Sequence, residues 1–147
     1  MEKINKLINE NYLDLSTLIV FTRAEHSIHR KEYQTIKDHD LTAAQFGVLE
    51  ALYVKGDLKI GQLIEKILTT SGNMTVVVRN LEKAGLVRKI EDPADKRSTI
   101  ISLTDLGREK IEEILPSHYQ NIIDIFSVLS DEEKMQLKEI LKKLSQT

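Results

Sequence analysis

The chain has 147 residues, 41% hydrophobic and 30% charged, with two prolines, six glycines and a formal net charge of −2 at pH 7. That length and composition describe one ordered, helix-rich domain without a low-complexity tail, and the lack of cysteine excludes disulfides, thiolate metal sites, nucleophilic thiols and thiol redox sensing. The N-terminus, Met1-Glu2-Lys3-Ile4-Asn5, does not join a basic start to an apolar stretch, and nowhere do eighteen apolar residues run together, so a soluble, cytoplasmic protein is expected.

From Ile4 to about Ile36 apolar residues recur as Ile4, Leu7, Ile8, Leu15, Leu18, Ile19 and Ile28, a roughly helical spacing with no Gly or Pro, which predicts one long helix or two. Thr42 and Gln45 stand three apart, the spacing of a capping box, and Phe46, Leu49, Leu52 and Tyr53 mark one face of a helix over about 42–54. Gly56 and Asp57 break it. Ile60, Leu63, Ile64 and Ile67 then mark a third segment that ends in the polar turn Leu68-Thr69-Thr70. Ser71 stands where an N-cap belongs, and the helix it opens, about 72–84, turns Met74, Val77, Val78 and Leu81 to one side and stops at Ala84-Gly85 with glycine in the C-terminal cap. Two short helices joined by a tight turn predict a helix-turn-helix.

After Gly85 the period shortens. Leu86–Ile90 and Thr99–Leu103 are β-branched runs flanking a polar loop, Glu91 to Ser98, and predict a β-hairpin with a long charged tip. Leu103-Thr104-Asp105 starts a helix carrying Ile111, Ile114, Leu115, Tyr119, Ile122, Ile123 and Phe126, with Pro116 expected to kink it. A second capping box, Ser130-Asp131-Glu132-Glu133, opens a last helix with Leu137, Ile140, Leu141 and Leu144 on one face.

The small net charge is unevenly spread. Residues 55–97 carry nine Lys/Arg (55, 59, 66, 79, 83, 88, 89, 96, 97) against six Asp/Glu (57, 65, 82, 91, 92, 95), a local +3, which leaves −5 for the rest. A basic middle between acidic flanks suits a module that touches phosphate, although it also fits ordinary surface variation. On the helix over 72–84 the side away from the apolar row holds Asn73, Thr75, Val76, Arg79, Asn80 and Lys83. Arg79 has the donors for guanine O6 and N7, Asn73 suits adenine, and Thr75 or Val76 suits a thymine methyl. A plain solvated helix face is the alternative; Val76 favours the groove, because an outward β-branched apolar residue does nothing in water. In the hairpin tip, Asp92-Pro93-Ala94-Asp95-Lys96-Arg97, Asp95 is two residues from Arg97 and near enough to hold its guanidinium extended, a pose that reads minor-groove width. A charged turn that keeps a hairpin soluble is the alternative there.

Five stretches in order and spacing, Leu41–Leu49, Thr70–Thr75, Asn80–Val87, Asp92–Arg97 and Leu103–Gly107, resemble the motifs of MarR family transcriptional regulators, over about residues 13–145. The combination of Asp-x-Arg followed by Leu-Thr, with Ser-Gly-Asn-Met-Thr at the start of the recognition helix, is the most distinctive part. The resemblance implies a mainly α fold with a small β-hairpin wing. It implies a winged helix-turn-helix over 41–103 with N- and C-terminal dimerisation helices over 1–38 and 104–147, in one domain spanning 1–147. It implies a homodimer on double-stranded DNA, with recognition helices in successive major grooves, wings in the flanking minor grooves and a pseudo-palindromic operator. The DNA-contact candidates are then Thr70, Ser71, Asn73, Thr75, Val76, Arg79, Asn80, Lys83, Lys89, Asp95, Lys96 and Arg97.

Members of this family commonly repress, and many release DNA when a small aromatic or phenolic compound, an oxidant or a metal binds between the dimerisation helices and the winged region. The thiol route is closed to this chain. Phe21, Tyr33 and Phe46 are candidate lining of an effector pocket, with ordinary core as the alternative for each. His26, His29, His39 and His118 assemble no complete metal-ligand set by spacing, although His26 and His29 stand three apart and Asp38 and Asp40 flank His39. No nucleophile with a base, paired acid set or phosphate-cradling loop is present, so no enzyme and no cofactor are expected. The competing function is a winged-helix module that binds protein through the same surface. Salt separates the two, since phosphate neutralisation predicts a steep loss of affinity as salt rises.

Overall fold

A computed structural model describes residues 1–67 and 71–146, without the side chain of Ser71. In chain order the elements are α1 (Glu2–Glu10), α2 (Tyr12–Lys37), α3 (Ala43–Lys55), β1 (Leu58–Lys59), α4 (Ile60–Ile67), α5 (Ser71–Lys83), β2 (Val87–Asp92), β3 (Asp95–Leu103), α6 (Asp105–Phe126) and α7 (Asp131–Ser145). The predicted N-terminal helix is therefore two, parted at Asn11. The turn predicted at Leu68-Thr69-Thr70 lies outside the described residues. α5 opens at Ser71 itself, one residue before the sequence places its start, and the capping role expected of that side chain also lies outside the description.

Both capping boxes form. At α3 the Gln45 amide donates to Thr42 Oγ1 at 3.1 Å and the Thr42 amide to Gln45 Oε1 at 2.9 Å. At α7 the Glu133 amide donates to Ser130 Oγ at 3.2 Å and the Ser130 amide to Glu133 Oε2 at 2.8 Å. Each box satisfies donors that the helix geometry leaves without a partner. α5 ends in a Schellman motif: Gly85 takes φ +73°, its amide donates to the Glu82 carbonyl at 2.9 Å and the Leu86 amide to the Leu81 carbonyl at 3.0 Å. Pro116 lies inside α6, four residues after Glu112, whose carbonyl therefore receives no bond from it.

The described chain divides into two compact units, residues 1–34 with 123–147, and residues 35–122. The second holds the core, in which Phe46, Val48, Leu49 and Leu52 of α3, Leu63 of α4, Met74, Val77, Val78 and Leu81 of α5, Ile101 of β3 and Ile111, Ile114 and Leu115 of α6 are buried together. Its sheet has three antiparallel strands in the order β1-β3-β2, with Leu58 opposite Ile101, and Val87 opposite Leu103 through to Glu91 opposite Thr99. The sheet corrects the sequence reading twice. β1 has no signal in the sequence, because two residues carry no alternation to detect. The strands also run through the segment read as a long loop: a register shift at Glu91/Asp92 brings Asp92 opposite Asp95 and leaves only Pro93 and Ala94 between the strands.

The first unit comprises α1, most of α2, the end of α6, and α7, and none of its described residues is buried. Ile4, Leu7, Leu18, Ile140 and Leu144 are each at least half exposed. Among the described residues no helix is long and apolar enough to cross a membrane.

Candidate nucleic-acid interface

α4 and α5 form the helix-turn-helix, and α5 separates its two faces as the spacing requires. Met74, Val77, Val78 and Leu81 are buried, whereas Asn73, Thr75, Val76, Arg79, Asn80 and Lys83 are exposed, Val76 to 43%. Packing four apolar residues against α3, α4 and β2 fixes the helix in rotation, so the polar row faces outward whatever its own preferences. Thr70 lies outside the described residues, as does the side chain of Ser71.

The base of the wing is closed by the Leu-Thr-Asp-Leu-Gly stretch. Thr104 caps α6 by accepting from the Gly107 amide at 3.0 Å, and its hydroxyl donates to the Gly85 carbonyl at 2.6 Å. The Thr104 amide donates to the Leu86 carbonyl at 3.1 Å. A side chain on residue 107 would bring its Cβ to 1.9 Å from that same carbonyl oxygen, so the start of α6 lies this close to β2 only because residue 107 is glycine. These contacts tie the end of α5, the root of β2 and the start of α6 together.

Toward the tip, Asp92 is buried and its carboxylate is fully engaged. It accepts from the Ala94 amide at 2.9 Å and the Ser98 hydroxyl at 2.8 Å, and pairs with Lys59 Nζ at 2.6 Å. The bond from Lys59, followed by those from Ala94 and Ser98, holds the carboxyl at about 2, and Asp92 in turn raises the Lys59 ammonium above its ordinary value. Residues 93–97 beyond it are all exposed. Asp95 behaves differently from the sequence reading: its Oδ1 accepts from the backbone amide of Arg97 at 3.0 Å, and no described ion pair joins it to the Arg97 guanidinium. The carboxylate thus shapes the turn instead of bracing the cation. Lys96 and Arg97 are exposed, while Lys89 pairs with Glu82 of α5 at 3.0 Å.

The effector and metal candidates are dispersed. Phe21 lines an apolar groove of about 830 Å³ in the first unit, with Leu18 and Ile28 of α2 and Leu137, Leu141 and Leu144 of α7, while Tyr33 is exposed on α2. Phe46 is core, with its ring centroid 4.4 Å from that of His118. His118 is buried and hydrogen-bonded through Nδ1 to Thr35 Oγ1 at 2.9 Å. His29 lies 2.9 Å from Glu32 and 3.7 Å from Glu25, His39 lies 3.7 Å from Glu113, and His26 is exposed. Among the described residues no group of three or more His, Asp or Glu side chains is arranged to hold a metal ion. Sequence reasoning missed Lys59 and Asp92, because nothing local pairs a lysine before α4 with an aspartate in the wing.

The profile of the MarR family matches residues 41–99, the stretch from the start of α3 into the wing. The chain is 40% identical over 124 residues to the helix-turn-helix-type transcriptional regulator YkoM of Bacillus subtilis (strain 168), covering 84% of this chain and 80% of that one. It is 38% identical to the regulator MhqR of the same organism, over 88% of this chain and 90% of that one. Among solved structures it superposes on BpsR of Bordetella bronchiseptica, a protein whose DNA binding is regulated by 6-hydroxynicotinic acid, with a TM-score of 0.77 and 30% identity over 87% of this chain and 91% of that one. With its helix-turn-helix, three-stranded wing and flanking helices, the chain belongs to the MarR family of transcriptional regulators, which are DNA-binding proteins and not enzymes.

Proposed function

We propose that this regulator binds a pseudo-palindromic operator in double-stranded DNA as a homodimer and represses transcription, with a small effector modulating its grip. The outward row of α5 carries the reading: Asn73, Thr75, Val76, Arg79, Asn80 and Lys83 are exposed on a helix whose other face is locked into the core. Arg79 and Asn73 read base edges in the major groove, Val76 or Thr75 meets a thymine methyl, and Asn80 and Lys83 contact backbone. Ser71 and Thr70 precede this row in the chain. The wing presents Lys96 and Arg97 to the adjacent minor groove.

Dimerisation is supported by the first unit, where apolar residues of α1, α2 and α7 lie exposed and none is buried. Apolar surface on this scale calls for a partner, and a second copy covers it symmetrically. Two-fold symmetry then sets two half-sites about one helical turn apart. For the effector, the resemblance to BpsR favours a small aromatic acid.

The test is selection of bound fragments from sheared DNA of the source genome at near-physiological salt, followed by sequencing. Recovery of a short inverted repeat is the expected result. Recovery of nothing above background overturns the reading in favour of a protein-binding winged helix.

A further inference from the structure

Lys59 lies on β1, and β1 runs directly into α4, the first helix of the helix-turn-helix. Its backbone is fixed at that junction, since the Lys59 amide donates to Gln62 Oε1 at 2.9 Å. Across the sheet Lys59 stands opposite Ile100 of β3, and Ile100 opposite Ile90 of β2, so the three form one cross-strand row. Strand alternation puts Ser98 on the same face as Ile100. The lysine side chain therefore crosses β3 to reach Asp92, at the last pairing of β2, where Ser98 and the Ala94 amide also converge. Beyond that point the wing is only a two-stranded turn with every residue from 93 to 97 exposed. A two-stranded ribbon has little stiffness of its own, so the direction of the tip is set where it is anchored.

We infer that Lys59 and Asp92 are positioning residues for DNA binding: the pair fixes the angle of the wing relative to the helix-turn-helix, so that Arg97 enters the minor groove while α5 occupies the major groove. Lys59 is committed to Asp92 and contributes no phosphate contact of its own. The inference rests on the proposed DNA-binding role of α5 and the wing, and concerns a pair that neither touches DNA nor belongs to the apolar core.

The test uses the full chain and the genomic fragment that the parent protein selects, with hydroxyl-radical footprinting, titrations over a range of salt and thermal melting. For Lys59→Met and Asp92→Asn we expect about a tenfold loss of affinity, loss of protection in the flanking minor grooves and retained protection in the central major grooves. The slope of log K against log salt stays at the parent value, whereas each phosphate contact removed lowers it by about 0.9. The double variant is no weaker than either single one, because both remove the same interaction, and Lys59→Arg restores the flanking protection. Unchanged flanking protection in Lys59→Met overturns the inference, as does a slope lowered by about one contact, which makes Lys59 a phosphate ligand. Loss of both protections together with a fallen melting temperature reduces the pair to a folding role and also overturns it. If the parent protein protects no DNA, the proposed function fails first and the inference falls with it; if the parent protects both grooves, only the inference is at stake.

Discussion

The hydroxyl of Thr104 donates to the carbonyl of Gly85 at 2.6 Å while accepting from the Gly107 amide, so one side chain both caps α6 and ties it to the chain leaving α5. The relationship joins the end of α5 to the root of the wing. It gives the Leu-Thr-Asp-Leu-Gly stretch a physical role that its position in the sequence does not disclose.

Thr104→Val is accordingly expected to destabilise the fold by about 2 kcal/mol, the loss of a helix cap plus a carbonyl left short of a donor. Thr104→Ser, which keeps the hydroxyl, should stay near the parent. Gly107→Ala drives a methyl into the Leu86 carbonyl oxygen and should cost about 3 kcal/mol. Urea unfolding measures all three, and equal stability of the Val and Ser variants would refute the role assigned to the hydroxyl.

Arg79→Ala and Arg97→Ala should separate base reading from groove positioning. The first is expected to cost about 1–3 kcal/mol on the preferred site and to relax selectivity at one base pair, and the second to weaken binding more evenly across sequences. Competition titrations with single-base variants of the selected site make the comparison. Negligible effects of both substitutions would remove α5 and the wing tip from the interface.

Acid stability should carry the signature of Asp92. Its folded carboxyl, held at about 2, lies below the ordinary value of 3.8, so its contribution is complete above that value and is lost as pH falls through about 2. The partner Lys59, raised above its ordinary value, loses its contribution only as pH climbs beyond the lysine range. Between pH 4 and pH 2 the melting temperature of Asp92→Asn should therefore fall less than that of the parent; parallel curves would show that the pair has no part in acid unfolding.

Charging the exposed apolar face should break the proposed dimer. Leu18→Glu or Leu144→Glu, both exposed and lining the groove between α2 and α7, is expected to shift the sedimenting species from dimer to monomer and to weaken operator binding. Because neither residue is in the buried core of residues 35–122, the far-ultraviolet helical signal of that unit should persist. A parent protein that sediments as a monomer at micromolar concentration would end the argument.

What the sequence by itself determined are the features with a local cause. The two faces of α5 follow from a 3.6-residue period, the starts of α3 and α7 from Thr42 with Gln45 and Ser130 with Glu133, and the stop after α5 from Gly85. In each case the interacting atoms lie within one or two turns of chain, so residue type and spacing suffice. Tertiary structure decided the rest: β1, which exists only because β3 pairs with it; the extension of β2 and β3 to a two-residue turn; and the engagement of Asp95 by the Arg97 amide. It also chose Phe46 and His118 for the core and brought Lys59 to Asp92. Those outcomes depend on partners far apart in the chain, or on which of two nearby donors the folded backbone presents, and neither is encoded in a local period.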